Sequence, residues 1–248
     1  MNSKIVQRAA LALVAALTVL VSAAAAPAAV VIDDFSAPFP GPLVEIGSTY
    51  PDPTLIKTTD AAILGLERDL LFDVNGAATL TTLIATVGGG NLTFNSGSPG
   101  TITTLQYDGI DGDQVVPTAL VNAEGLGGIN LATGATQSIY LSFLSIEGGY
   151  QPTTGISIEV HSGVTVATFQ ALVPDSSAPM IFYAPMASFT NPSVFTNVTS
   201  IQITINTTGA ANVDFILDEI GTTTDVPEPA TMGLLGLGLL GLVARRRK

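Results

Sequence analysis

Between residues 30 and 220 the chain consists of short stretches in which apolar and polar side chains alternate. Ile156-Ser157-Ile158-Glu159-Val160-His161 places its aliphatic residues on one face and its polar residues on the other, and Ile201-Gln202-Ile203-Thr204-Ile205-Asn206 repeats the arrangement. A period of two marks strands with one face in a core and one in water. The pattern, with its Val, Ile and Thr content, predicts strands over 30–35, 68–75, 78–87, 92–95, 101–107, 138–146, 156–161, 164–172, 180–183, 200–206 and 212–220. Gly, Pro, Asn and Ser separate them, and the Gly- and Pro-rich stretches 37–53 and 118–128 read as long loops. No amphipathic helical period of ten or more residues appears between the two ends, and no repeat points to a solenoid. Many short strands at close spacing argue for an all-β fold, and the length favours an antiparallel β-sandwich over a small barrel.

The two ends follow a different pattern. Lys4 and Arg8 precede an apolar run over 9–21 and a small-residue stretch over 22–29, the layout of a helical secretory signal peptide. Cleavage is expected between Ala25 and Ala29, with Pro27 disfavoured just after the cut. At the other end Pro227-Glu228-Pro229 interrupts regular structure, since proline fixes φ and lacks an N–H. An uncharged run over 232–244 follows, then Arg245, Arg246, Arg247 and Lys248. As a helix, about thirteen residues reach roughly 20 Å, short of a hydrocarbon core of about 30 Å. The basic cluster holds the terminus on the cytoplasmic side. The expected division is therefore a signal peptide over 1–27, a β-sandwich over 28–225, and a tail over 226–248 with a short transmembrane helix.

The ordered tail of Pro-Glu-Pro, short Gly/Leu helix and terminal Arg cluster resembles the PEP-CTERM sorting signal of Gram-negative bacteria. In that family an exosortase, a membrane-embedded transpeptidase-like enzyme, recognises the tail. The resemblance implies Pro227, Glu228, Pro229, Arg245, Arg246 and Arg247 as the sorting motif. It also implies export through the Sec translocon and signal peptidase, a transient stay in the inner membrane, and delivery to the cell surface or extracellular matrix. It covers about a tenth of the chain and assigns no task to the domain between.

Composition narrows that task. The net charge is −12, and of eight Lys and Arg residues only Lys57 and Arg68 lie between the two ends. Such a domain repels nucleic acid, whose binding depends on Lys and Arg at phosphates. With no cysteine, thiol nucleophiles, zinc–thiolate sites and iron–sulfur clusters are excluded. His161 is the single histidine, so multi-histidine metal sites are excluded too, and without a nucleophile motif it reads as a surface residue.

Val31-Ile32-Asp33-Asp34-Phe35 near the start and Val213-Asp214-Phe215-Ile216-Leu217-Asp218-Glu219-Ile220 near the end resemble the first and last strands of galactose-binding-like jelly-roll carbohydrate-binding modules. That resemblance implies adjacent terminal strands and a structural calcium held by acids such as Asp33, Asp34, Asp214 and Asp218. Calcium takes six to eight oxygens, and the competing reading is acids that solvate strand ends. On a regular closing strand Asp218 and Glu219 face opposite sides. Asp108-Gly109-Ile110-Asp111-Gly112-Asp113 fails the EF-hand spacing and reads as a solvated acidic turn.

Arg68, between Glu67 and Asp69, is expected to form a structural ion pair with a carboxylate across the sheet. Tyr107, Tyr140, Tyr150 and Tyr183 are the aromatic candidates for stacking on sugar rings, with Tyr150 expected on an exposed loop. Three classes follow. The first is a non-enzymatic surface or matrix protein associated with exopolysaccharide or biofilm. The second is a calcium-stabilised carbohydrate-binding module. The third is a hydrolase using paired carboxylates.

Overall fold

A computed structural model of the chain describes residues 29–38, 44–46, 54–73, 83–96, 101–110, 125–133, 137–148, 153–207 and 213–224. The strands are β1 (Val31–Asp33), β2 (Val44–Ile46), β3 (Thr54–Thr59), β4 (Glu67–Asp73), β5 (Leu83–Gly88), β6 (Asn91–Ser96) and β7 (Ile102–Tyr107). They continue with β8 (Gln137–Glu147), β9 (Thr153–Ser162), β10 (Thr165–Pro174), β11 (Met180–Pro185), β12 (Ser200–Asn206) and β13 (Asp214–Thr224). The compact unit runs from Ala29 to Thr223.

Two antiparallel sheets form a jelly-roll-like sandwich. The seven-stranded sheet has the order β11-β8-β13-β6-β5-β2, with β1 also paired to β13. The six-stranded sheet has the order β10-β9-β12-β7-β4-β3. Period-two alternation survives in both. On β12, Ile201, Ile203 and Ile205 are fully buried while Gln202 and Thr204 face outward. A register slip of one residue would turn that whole set out of the core, so the pattern fixes the pairing.

Phenylalanines fill the space between the sheets. Phe94 on β6 stacks on Phe215 of β13 at 4.7 Å between centroids, and Phe72 on β4 of the facing sheet lies 6.1 Å from Phe94. A second group joins Phe169 on β10 to Phe182 on β11 and to Phe189, which meets Phe195 edge-on at 4.9 Å. Rings bury large apolar areas, and offset or edge-on pairs add to that burial. A sandwich without tryptophan or disulfides is closed in this way at two places.

Two strands depart from the sequence expectation. Val44–Ile46 lies inside a stretch that reads as a loop, and Thr54–Thr59 lies where the sequence pattern predicts no element. The first is too short to show a period, and Lys57 interrupts the second. Both exist because a neighbour offers a free edge: Val44 pairs with Ala85 on β5, and Lys57 pairs with Asp69 on β4. Among the described residues the helical turns are short 3-10 segments, and none is long and apolar enough to cross a membrane.

Candidate functional site

Strand alternation on β4 sends Glu67 and Asp69 outward and Arg68 into the core. Arg68 is fully buried there, and its Nη1 donates to Asp33 Oδ2 at 2.8 Å. Asp33 belongs to β1 in the opposite sheet, so this ion pair spans the sandwich interior. The second nitrogen, Nη2, donates to the Ala37 carbonyl at 2.8 Å, and the guanidinium stands 5.4 Å from the centre of the Phe35 ring. Asp33 Oδ2 also accepts from the Tyr107 hydroxyl at 3.0 Å, and Oδ1 accepts from the Phe35 amide at 2.8 Å. The latter bond closes an Asx turn that holds Phe35 at a φ of 52°, a region that disfavours side chains. Burial and the nearby Asp33 charge push the Tyr107 hydroxyl well above its usual pKa, so it stays a donor.

The carboxylates named for calcium are not gathered into one site. Asp33 is taken by a cation already present in the chain, the Arg68 guanidinium. Asp34 turns away, and its Oδ1 accepts from the Ser36 amide at 2.9 Å. Hydrogen bonds from the Ser36 side chain and backbone hold its carboxyl below the usual range. Asp214 and Asp218 lie four residues apart on one strand, roughly 13 Å at about 3.3 Å per residue, too far to share an ion. Among the described residues no group of three or more acidic or histidine side chains is placed to hold a metal. The residues therefore do not fit the structural calcium that the jelly-roll resemblance implies.

The outer face of the seven-stranded sheet gathers different chemistry. Tyr140 and Ser142 project outward from β8, and register sets Tyr183 opposite Tyr140 and Ile181 opposite Ser142 on β11. Tyr183 is 49% exposed and Ile181 50%. On β13 alternation breaks after Leu217: Asp218 and Glu219 are both half-buried before Ile220 returns to the core. The break corrects the expectation that the two acids face opposite sides. The Tyr140 hydroxyl donates to Glu219 Oε1, while Asp218 Oδ2 lies 3.5 Å from the Ser142 hydroxyl. On the other side of β13, an Asn91 amide turned to exchange its oxygen and nitrogen would donate to Asp218 Oδ1 at 3.2 Å. Burial, then the bond to Glu219, raises the Tyr140 pKa above its usual value. Gly221 makes room for this arrangement, because a Cβ there would lie 2.7 Å from the Tyr140 hydroxyl.

The sequence named Tyr140 and Tyr183 only as members of a longer list and preferred Tyr150, which lies outside the described residues. Their adjacency is a matter of register between β8 and β11, which composition does not encode. Glycine at 221 is the available signal, since it lies two residues beyond Glu219 on the same strand. Tyr107 belongs to the interior and is unavailable to a ligand.

Other candidates fall elsewhere. Lys57 Nζ bridges Glu67 at 3.1 Å and Asp69 at 3.4 Å on the outer face of the six-stranded sheet. Asp108 is buried and accepts from Gln106 Nε2 at 2.6 Å, so at that residue the turn is not solvated. His161 shares its face with Glu159, 3.9 Å away, and its side chain is only 14% exposed. Desolvation lowers its pKa. Pro227, Glu228, Pro229 and Arg245 to Arg247 lie outside the described residues.

Residues 225–248 match the family model of the PEP-CTERM protein-sorting motif. The motif marks the chain for export and for exosortase processing at its C-terminal tail. No curated protein matches the chain. Among solved structures, a family 29 carbohydrate-binding module is 12% identical with a TM-score of 0.35, over 72% of this chain and 99% of the module. The family 11 carbohydrate-binding module of a cellulosomal cellulase of Clostridium thermocellum is 12% identical with a TM-score of 0.33, over 79% of this chain and 94% of the module. A large protein, PfGH50B, is 8% identical with a TM-score of 0.37, over 60% of this chain, which spans only 22% of its length. These scores are low, and the fold assignment stands on the sheets themselves.

Proposed function

We propose that the chain is an exported, non-catalytic glycan-binding protein of the cell surface or extracellular matrix, associated with exopolysaccharide. The sorting motif supports the route and points to exosortase, while the N-terminal leader pattern is the ground for adding signal peptidase and the Sec translocon. The observation that carries the glycan reading is the pairing of Tyr140 and Tyr183 on the outward face of the seven-stranded sheet, beside Asp218 and Glu219. A tyrosine ring offers an apolar face to the C–H groups of a pyranose and keeps a polar tip for its hydroxyls. Carboxylates held by Ser142 and Tyr140 keep lone pairs for sugar hydroxyl donors without rearranging.

The test is retention of the full chain on immobilised exopolysaccharide from its producer. Tyr183→Ala removes an exposed ring without entering the core, and its expected effect is at least a tenfold loss of retention with unchanged melting temperature. Equal retention of the variant and the wild type would refute the tyrosine face. Release of reducing ends from the same polysaccharide, abolished by Glu219→Gln, would move the protein to the hydrolase class instead.

A further inference from the structure

The outer face of the six-stranded sheet carries a second feature, which does not rest on the tyrosine reading. Register aligns Leu172 of β10, Gly155 of β9 and Asn206 of β12 in one row, and Gln170, Ser157 and Thr204 in the next outward row. The middle strand has the smallest side chains in both rows, so the face is notched along β9. The notch measures about 420 Å³. That lies within the range of small-molecule sites, about 300–1,000 Å³.

Nothing in the fold demands glycine at position 155. Its φ lies outside the left-handed region, and an added Cβ would meet Asn206 O at 3.6 Å and Asn206 Cβ at 3.7 Å, both ordinary contacts. A glycine inside a strand weakens it by roughly 0.5–1 kcal/mol relative to alanine. Where backbone geometry and local space both accept a side chain, its absence points outward, to something that approaches the strand.

The lining selects the visitor. None of the eight lining residues is charged, and Ser157, Thr204, Gln170 and Asn206 carry groups that both donate and accept hydrogen bonds. Sugar hydroxyls have the same dual character. Leu172, 67% exposed, supplies an apolar wall on one side. A peptide strand has nothing to pair with, because β9 is already bonded to β10 and β12. Glu159, next outward-facing along β9, and the chain's net charge of −12 disfavour an anionic chain.

We infer that the notch over Gly155 is a binding site for a neutral oligosaccharide, separate from the tyrosine face on the opposite sheet. The experiment is titration of the full chain, in mild detergent, with neutral β-linked gluco-, galacto- and xylo-hexasaccharides, with polygalacturonate as the anionic control. Gly155→Thr fills the notch while giving β9 a better strand former. Its expected signature is at least a tenfold loss of affinity with a melting temperature equal to or above that of the wild type. Gln170→Ala, at an exposed position, is expected to weaken binding about fivefold and leaves the core untouched if Gly155→Thr fails to fold. Val164→Ser, at a fully exposed position outside the lining, is expected to retain the site. Full affinity in both groove variants, equal loss in Val164→Ser and Gly155→Thr, or no binding of any neutral hexasaccharide would each overturn the proposal.

Discussion

Among the described residues two tyrosine–carboxylate pairs occur, and their surroundings give them different roles. In the interior, Tyr107 donates to Asp33, whose charge is balanced by a fully buried Arg68. On the outer face, Tyr140 donates to Glu219, on a half-buried surface shared with Tyr183 and Asp218. A carboxylate sealed between two sheets needs a counter-charge and filled acceptor positions, because desolvating an ion is costly. Arg68, Tyr107 and the Phe35 amide meet that need, and the group is committed to holding β1 against the facing sheet. Glu219 remains next to water, needs no arginine, and keeps acceptor capacity for a ligand. The same two functional groups thus serve as a clamp in one place and as a prepared surface in the other.

Replacing Arg68 would break the contrast most severely. Arg68→Ala leaves Asp33 charged and uncompensated between the sheets, and is expected to cost about 3–5 kcal/mol. The check is urea unfolding followed by circular dichroism, where a loss under 1 kcal/mol would show that water reaches Asp33. Arg68→Lys is not expected to restore stability, because a lysine cannot bond Asp33 and the Ala37 carbonyl with a planar fork.

Tyr107→Phe sharpens the interior half. Removal of one donor to a charged acceptor is expected to cost about 1.5–3 kcal/mol. Its dependence on pH is also diagnostic. The unfolded chain ionises tyrosine near 10.0, whereas the folded chain holds the Tyr107 proton to higher pH. The stabilisation is therefore complete below pH 10 and declines as pH rises above it, since only the unfolded state releases that proton. Tyr107→Phe should flatten this alkaline decline, and an unchanged slope in stability between pH 9 and about 11 would assign the decline to other groups.

The outer pair should respond least. Tyr140→Phe removes a hydrogen bond at the surface, worth about 0.5–1.5 kcal/mol at most. Its larger consequence is expected in retention on exopolysaccharide, because Glu219 loses the contact that orients it. A stability loss as great as that of Tyr107→Phe would erase the distinction between the two pairs.

The fold was legible in the sequence wherever one strand face is buried and the other wet. β9 and β12 show this most plainly, since six consecutive residues of each declare both faces. β2 and β3 were not legible, because a short strand at a sheet edge owes its existence to the neighbour that pairs with it. Arg68 stood out as one of two basic residues between the ends, and its burial against a first-strand aspartate is a structural outcome. The same residue bears on the calcium expectation, since Arg68 occupies Asp33, one of the four carboxylates that the resemblance assigns to the metal.

The sequence by itself determined the sorting tail, the all-β class and the exclusion of thiol and multi-histidine chemistry, because each depends on residue type, order or local period. Tertiary structure decided which acids meet which partners. Pairing register placed Tyr183 beside Tyr140 and Gly155 between Leu172 and Asn206, and a single break in alternation on β13 turned Asp218 and Glu219 to the same side. Those choices arise between strands distant in the chain, where local pattern carries no information about the opposite neighbour.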